Sequence, residues 1–224
     1  MENERDQSRL ACILKIDSDR SLEKAIEKAS RAILQGGIVA FPTESFYGLG
    51  ADATNAVAIK KIFDMKNRDS SLPILILIPS IDKLHLYADF VPEKAIKTGK
   101  KFWPGGLTMV LKSSHFFPKI LTSGKGKIGV RISDHRVAMA LSNSLDVPVT
   151  ATSANKSGTS PCISAEKVAE DLGNDIDLIL DGGRTKGGFA STILDLTVDP
   201  PHLIREGIIK RDEIIKSSIF DSIV

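Results

Sequence analysis

Lys66 and Arg68 stand two residues apart in "FDMKNRDSSLPILILI", directly before the most apolar run of the chain. Cations at a helix end complement the macrodipole and are ordinarily solvated. At the mouth of a core strand they also suit an anion, so the pair has two readings. Three other polar clusters share this position at the end of an apolar segment. "FPTESFYGLG" offers the hydroxyls of Thr43 and Ser45, which project together if the segment is extended; otherwise it is a polar turn running into Gly48 and Gly50. Arg131 interrupts "KIGVRIS" opposite Val130 and Ile132, and an arginine inside a strand either snorkels at an edge or meets a buried anion. "VPVTATSANKSG" ends a strand in Thr150, Thr152, Ser153, Asn155 and Ser157 before Gly158. Such a loop can be a turn or helix cap, or it can cradle a phosphate or carboxylate.

Together the clusters offer three cations and many hydroxyls without an evident nucleophile–base pair. That set suits phosphoryl or nucleotidyl transfer, where positioning and charge neutralisation do most of the catalysis. The common nucleotide loops are missing: the chain contains no GxxxxGK[ST] and no GxGxxG, and "GLGAD" holds a lone GxG that reads as a turn. It also lacks HExxH and a GxSxG elbow, and its four histidines are scattered.

The elements that must position these groups follow from periodicity. "SLEKAIEKASRAILQGG" repeats apolar residues at helical spacing and stops at Gly36-Gly37. A second helix runs from Asn55 to about Met65, and others are predicted near 80–87, 92–101, 134–145 and 164–171. "IVAF", "PILILI", "LTMVLK", "KIGVRI", "VPVTA", "DLILD" and "STILDLT" read as strands. "PILILI" shows no polar alternation, so both its faces are covered. Interleaved strands and helices predict an α/β fold with a sheet at least partly parallel. The 224 residues carry no repeat or linker and suit one domain, with residues 1–9 frayed and a terminal helix in 208–224.

A net charge of +2 is too small for a general nucleic-acid surface, so any basic patch is local. The cysteines, Cys12 and Cys162, form no CxxC and read as reduced thiols of a reducing compartment. The N-terminus has neither a secretory nor a transit pattern, and "PILILIP" is too short to span a bilayer; the expectation is a cytoplasmic protein.

In this order "FPTESFYGLGADA", "KNR…LPILILI", "FWPGGLTMVL", "GVRISDH", "TATSANKSG", "STILDLT" and "LIREG" resemble the YrdC-like threonylcarbamoyl-AMP synthase family, from about Ser21 to Arg211. The resemblance implies a YrdC-like fold, a twisted mixed sheet flanked by helices with a deep, positively lined cavity, in its short single-domain form. It also implies a reaction in which L-threonine, bicarbonate or CO2, and ATP give threonylcarbamoyl-AMP and pyrophosphate. Mg²⁺ would ride on the phosphates, and the product would feed a transferase complex that modifies tRNA beside the anticodon. By motif, Lys66, Arg68, Ser153 and Asn155 match a tetrad that grips the nucleotide phosphates. Arg131 matches the position that pairs with the threonine carboxylate, and Thr43, Ser45 and Ser191 fall near threonine. Arg205 falls near the nucleotide, and Lys127 and Thr108 fall on the cavity wall, Lys127 on the ATP side.

Two positions depart from the family pattern. Asp69 replaces a proline after Lys-x-Arg, and Leu72 stands where the family has a polar residue. The rival readings are an RNA-binding module, weakened by the 5% aromatic content, and a carbamoyl-transfer module of hydrogenase maturation, weakened by the absence of zinc-type Cys pairs.

Overall fold

The computed structural model describes residues 11–220 and 222–224, so the expectation of a frayed segment at 1–9 lies outside it. Strand β1 (Cys12–Lys15) precedes helix α1 (Asp19–Leu34). Ser18 caps that helix: its hydroxyl accepts from Ser21 N, and Ser21 Oγ accepts from Ser18 N. Ala25, Ile26, Ala29 and Ile33 make the buried stripe. Gly36, at φ 79°, then turns the chain in a conformation that favours glycine.

Strands β2 (Val39–Pro42) and β3 (Tyr47–Gly50) form an antiparallel hairpin, with Phe41 opposite Gly48 and Pro42 opposite Tyr47. The "YGLG" stretch, which reads as a turn in sequence, is therefore a strand. Its second glycine serves close packing: a β-carbon on Gly50 would lie 2.7 Å from Phe41 and 2.8 Å from Val149. Helix α2 (Ala56–Lys66) is capped by the Asn55 side chain. It leads to β4 (Ile76–Leu77), so only two residues of "PILILI" join a ladder, although Ile74, Ile76, Leu77 and Ile78 are all buried.

The chain continues through α3 (Leu84–Tyr87), α4 (Glu93–Phe102), β5 (Leu107–Lys112), α5 (Lys119–Thr122), β6 (Lys127–Arg131) and α6 (Arg136–Asn143). Then come β7 (Val149–Thr150), β8 (Thr152–Ser153), α7 (Ala165–Leu172), β9 (Leu178–Asp181), β10 (Thr192–Asp195), β11 (His202–Arg205) and α8 (Arg211–Lys216). The terminal helix is thus shorter than the pattern over 208–224 suggests. Beyond it the chain runs along β11, where Leu203 N donates to Val224 O and Val224 N to Pro201 O.

Instead of one twisted sheet there are two mixed sheets, ordered β1-β9-β2-β3-β8 and β11-β10-β5-β6-β4-β7. The chain changes sheets at Ala151, between β7 and β8, inside the stretch "VPVTATS" that reads locally as one strand. In the first sheet, Val39, Phe41, Leu178 and Leu180 pack with Ile33 of α1 and Leu141 of α6. Ala40, Leu49 and Ile179, on the opposite face, enter the main core. In the second sheet Met109, Leu111, Ile128, Val130 and Leu194 enter that core too. By alternation, Thr108, Lys127, Gly129, Arg131 and Asp195 share the other face with Val110 and Ile193, and it is the more polar of the two.

Gly207 packs directly on the segment entering β10. A β-carbon there would lie 2.7 Å from the Ser191 carbonyl carbon and closer still to Ala190 O. Backbone cannot step aside as a flexible side chain can. Gly207→Ala is expected to lower the unfolding free energy by about 1–3 kcal/mol in urea titration, and an unchanged midpoint would count against this packing.

Candidate functional site

Lys66 closes α2 and is 1% exposed. Asn67 follows at φ 47°, a left-handed residue that ends the helix. Lys66 Nζ donates to Ser153 O at 2.5 Å, Asn155 O at 2.5 Å and Asn155 Oδ1 at 3.3 Å. Three acceptors match the three N–H bonds of an ammonium, so the solvated helix-end reading does not hold for this residue. Burial drives its pKa down to about 8, and the like charge of Arg68 adds to the shift. The surrounding oxygens work in the opposite direction, favouring the charged form.

The loop that receives Lys66 is itself closed by side chains. Ser153 Oγ donates to Asn155 Oδ1 at 2.6 Å, and Asn155 Nδ2 donates to Lys156 O and Thr159 O at 2.9 and 2.7 Å. Ser157 N returns a bond to Lys66 O at 2.8 Å. Lys66, Ser153 and Asn155 are therefore one network. Arg68 stands beside it but is folded on its own loop, Nε donating to Leu72 O at 3.2 Å and Nη2 to Pro73 O at 3.0 Å. Burial lowers the Arg68 pKa, with Asp69 opposing.

The two departures from the family pattern acquire a local explanation. Asp69 is exposed and its carboxylate accepts from Ser71 N at 2.8 Å; that bond is the first cause holding its pKa below the ordinary value. An aspartate turn thus shapes the backbone where the family has a proline. The Leu72 side chain is 48% exposed, and what it contributes is the carbonyl that Arg68 uses.

Thr43 and Ser45 do lie side by side, with hydroxyls 3.2 Å apart. They do so in a turn over 43–46, closed by Thr43 N to Phe46 O at 3.1 Å, and not on an extended segment. Between them Glu44 turns inward with its side chain 6% exposed. Its Oε1 lies 2.9 Å from Arg131 Nη1, and its Oε2 accepts from Ser133 Oγ at 2.5 Å. Arg131 is buried, and its Nε has no partner among the described residues. The anion that meets the strand arginine is thus a side chain of the same protein. Sequence reasoning misses Glu44 and Ser133; the available signal is a charge set between two small hydroxyls just after a buried strand.

A third group gathers along the polar face of the six-stranded sheet. Thr108 Oγ1 donates to Ser191 Oγ at 3.0 Å, and Arg205 donates from Nε and Nη2 to Ser191 O at 3.1 and 2.8 Å. Burial, then the like charge of Arg131, lowers the Arg205 pKa, so the two arginines lie within each other's field. Lys127 shares the face of Arg131, with Gly129 between them, and its Nζ is 2.8 Å from Asp195 Oδ2. Burial pushes the Asp195 carboxyl up, but hydrogen bonds from Lys127 and Thr197 outweigh it and hold the pKa low.

A cavity of about 450 Å³ opens beside Glu44, lined among others by Trp103, Phe189, Lys101, Asp134 and Lys186. Its charged wall carries both signs, while Lys127, Arg131 and Arg205 belong to the sheet edge and polar face described above. A groove of about 710 Å³ along α1, lined by Glu23, Glu27 and Arg31, touches none of these residues.

The family model for Sua5/YciO/YrdC proteins, described as "Telomere recombination", matches residues 31–207. A threonylcarbamoyl-AMP synthase of Pyrococcus abyssi is 42% identical over 198 residues, covering 88% of this chain and 58% of the relative. One of Vibrio vulnificus is 33% identical over 184 residues, covering 81% of this chain and 98% of the relative. Among solved structures, P. abyssi Sua5 complexed with L-threonine superposes with a TM-score of 0.88 at 39% identity, over 96% of this chain and 62% of that one. The chain spans between half and three-fifths of the length of several curated relatives, 58%, 55% and 50% in three cases. With most of its length matched by one family model and a relative covered almost end to end, the chain belongs to the Sua5/YciO/YrdC family.

Proposed function

We propose that the chain is an L-threonylcarbamoyladenylate synthase, a nucleotidyltransferase that converts L-threonine, bicarbonate or CO2, and ATP into threonylcarbamoyl-AMP and pyrophosphate. The observation that supports it most is the hydrogen-bonded cluster of Lys66, Ser153 and Asn155 with Arg68 beside it. The names carried by the relatives point the same way.

In this reading the threonine amine and CO2 form a carbamate. A carbamate oxygen attacks the α-phosphorus of ATP, the bond to the β-phosphate oxygen breaks, and pyrophosphate leaves. Two anions must approach each other, so the task of the chain is to position them and offset their repulsion. Lys66, Arg68, Ser153 and Asn155 grip the phosphates, with Lys127 and Arg205 on the nucleotide side. Lys66 spends its three donors on the loop and so acts on the phosphates chiefly as a charge. Thr43, Ser45, Arg131 and Ser191 form the threonine side, next to Thr108. Mg²⁺ would come with the triphosphate held by Lys66 and Arg68 and would supply further positive charge there; the described residues hold no group of three His, Cys, Asp or Glu side chains placed for a metal. The product would pass to a tRNA-modifying transferase. No helix among the described residues is long and apolar enough to cross a membrane, and a cytoplasmic place of action completes the proposal.

Mass spectrometry of the products from ATP, Mg²⁺, bicarbonate and threonine tests the reaction directly. Lys66→Ala and Arg68→Ala are expected to abolish threonine-dependent pyrophosphate release in folded protein; wild-type rates in either would sink the assignment. A pH titration probes Lys66 separately. Its folded pKa of about 8 lies below the ordinary 10.5, so on raising the pH the folded state loses this proton before the unfolded state does. The contribution of this group to stability therefore rises between those two values. Affinity for inorganic triphosphate, which needs the cation, falls over the same window, by at most about tenfold per pH unit. Lys66→Met is expected to flatten both slopes in urea melts and calorimetric titrations.

A further inference from the structure

We propose that Glu44 recognises the α-ammonium group of the amino-acid substrate while Arg131 takes its carboxylate. The inference rests on the reading that this site binds threonine. Glu44 and Arg131 are 9% and 4% exposed, and their closest atoms are 2.9 Å apart. A pair serving only the fold would satisfy its own atoms, yet this one leaves two open. Among the described residues Arg131 Nε has no acceptor, and Glu44 Oε1 accepts no well-angled hydrogen bond, its proximity to Nη1 notwithstanding. Ser133 Oγ occupies the other carboxylate oxygen at 2.5 Å and so fixes which oxygen stays open. Glu44 also lines the cavity of about 450 Å³, while both open atoms are shut off from solvent, so a ligand that takes them must part the pair.

Charge decides what such a ligand is. A buried carboxylate takes a charge-assisted hydrogen bond from an ammonium in preference to a neutral one from a hydroxyl, which favours a cationic donor at Glu44 Oε1 beside an anionic acceptor at Arg131 Nε. A zwitterion adds no net charge. It supplies an acceptor for Arg131 Nε and a donor for Glu44 Oε1 at once, closing both open positions. The site therefore selects an α-amino acid over the corresponding α-hydroxy acid.

The test compares threonine with 2,3-dihydroxybutanoate, which carries a hydroxyl in place of the ammonium, by calorimetric titration of the wild-type chain and Glu44→Gln. Glutamine keeps the shape and can still accept from Ser133. The expected result is that threonine affinity falls about tenfold or more in Glu44→Gln. Affinity for dihydroxybutanoate should change far less, and the KM for ATP should stay as in the wild type. Equal weakening of both acids would mean that Glu44 only holds Arg131 in place, and no weakening of either would mean that it does neither; both results overturn the inference. Glu44→Asp keeps the charge and is expected to retain part of the preference for threonine over its hydroxy analogue. Loss of that preference in folded Glu44→Asp would count against a role for the charge. If the wild-type chain turns over threonine while Glu44→Gln shows no selective loss, the inference alone fails. If the wild-type chain neither binds nor turns over threonine, the functional reading fails first.

Discussion

One buried cation holds the place where the chain leaves one sheet for the other. Lys66 reaches from the end of α2 to the carbonyls of Ser153 and Asn155, just past the switch between β7 and β8. An ammonium taken from water is tolerable only where oxygens replace its hydration, so the path of this loop and the end of α2 depend on each other. Because two of the three acceptors are main-chain groups, the demand falls on loop shape more than on residue type. The side chains of Ser153 and Asn155 are thereby left to close the loop on itself, with Asn155 Nδ2 bound to Lys156 O and Thr159 O.

Much of the scaffold is legible along the chain. The strand "LTMVLK" is recovered to the residue as β5, since Leu107, Met109 and Leu111 alternate with Thr108, Val110 and Lys112, which grow more exposed along the strand. Helix α2 announces itself by Asn55 at its cap and by Val57, Ile59, Ile62 and Phe63 on one side, of which the last three are buried while Val57 is exposed and Ala58 takes its place. What escapes a local reading depends on partners far away in sequence. β3 is hidden because glycines that pack closely look like glycines that turn. Strands β1 and β11 are short, mostly exposed edge strands with little alternation to notice. The division into two sheets leaves no trace in "VPVTATS", where the ladder partner changes but the residue pattern does not.

The site shows the same division. Residue types mark Lys66, Ser153, Asn155 and Arg131 as unusual for their positions, and the structure joins the first three into one network. Whether Lys66 is solvated or buried is undecidable from the helix end alone, because its acceptors lie 87 and 89 positions away. Arg131 is the instructive case: its need for an anion is legible, but the supplier, Glu44, comes from the other sheet's hairpin and is overlooked among its hydroxyl neighbours.

The row Lys127, Gly129, Arg131 along β6 is also a ruler. Four residues of strand separate the two cations, about 13 Å at roughly 3.3 Å per residue. The middle mark is blank, because a β-carbon on Gly129 would press on Leu75 and Thr108 at 3.1 and 3.2 Å. Leu75 and Thr108 therefore fill the step between the two charges, and each cation keeps its own carboxylate, Lys127 with Asp195 and Arg131 with Glu44. By omitting a single methyl group the chain lets apolar carbon settle between two ion pairs and keep them apart.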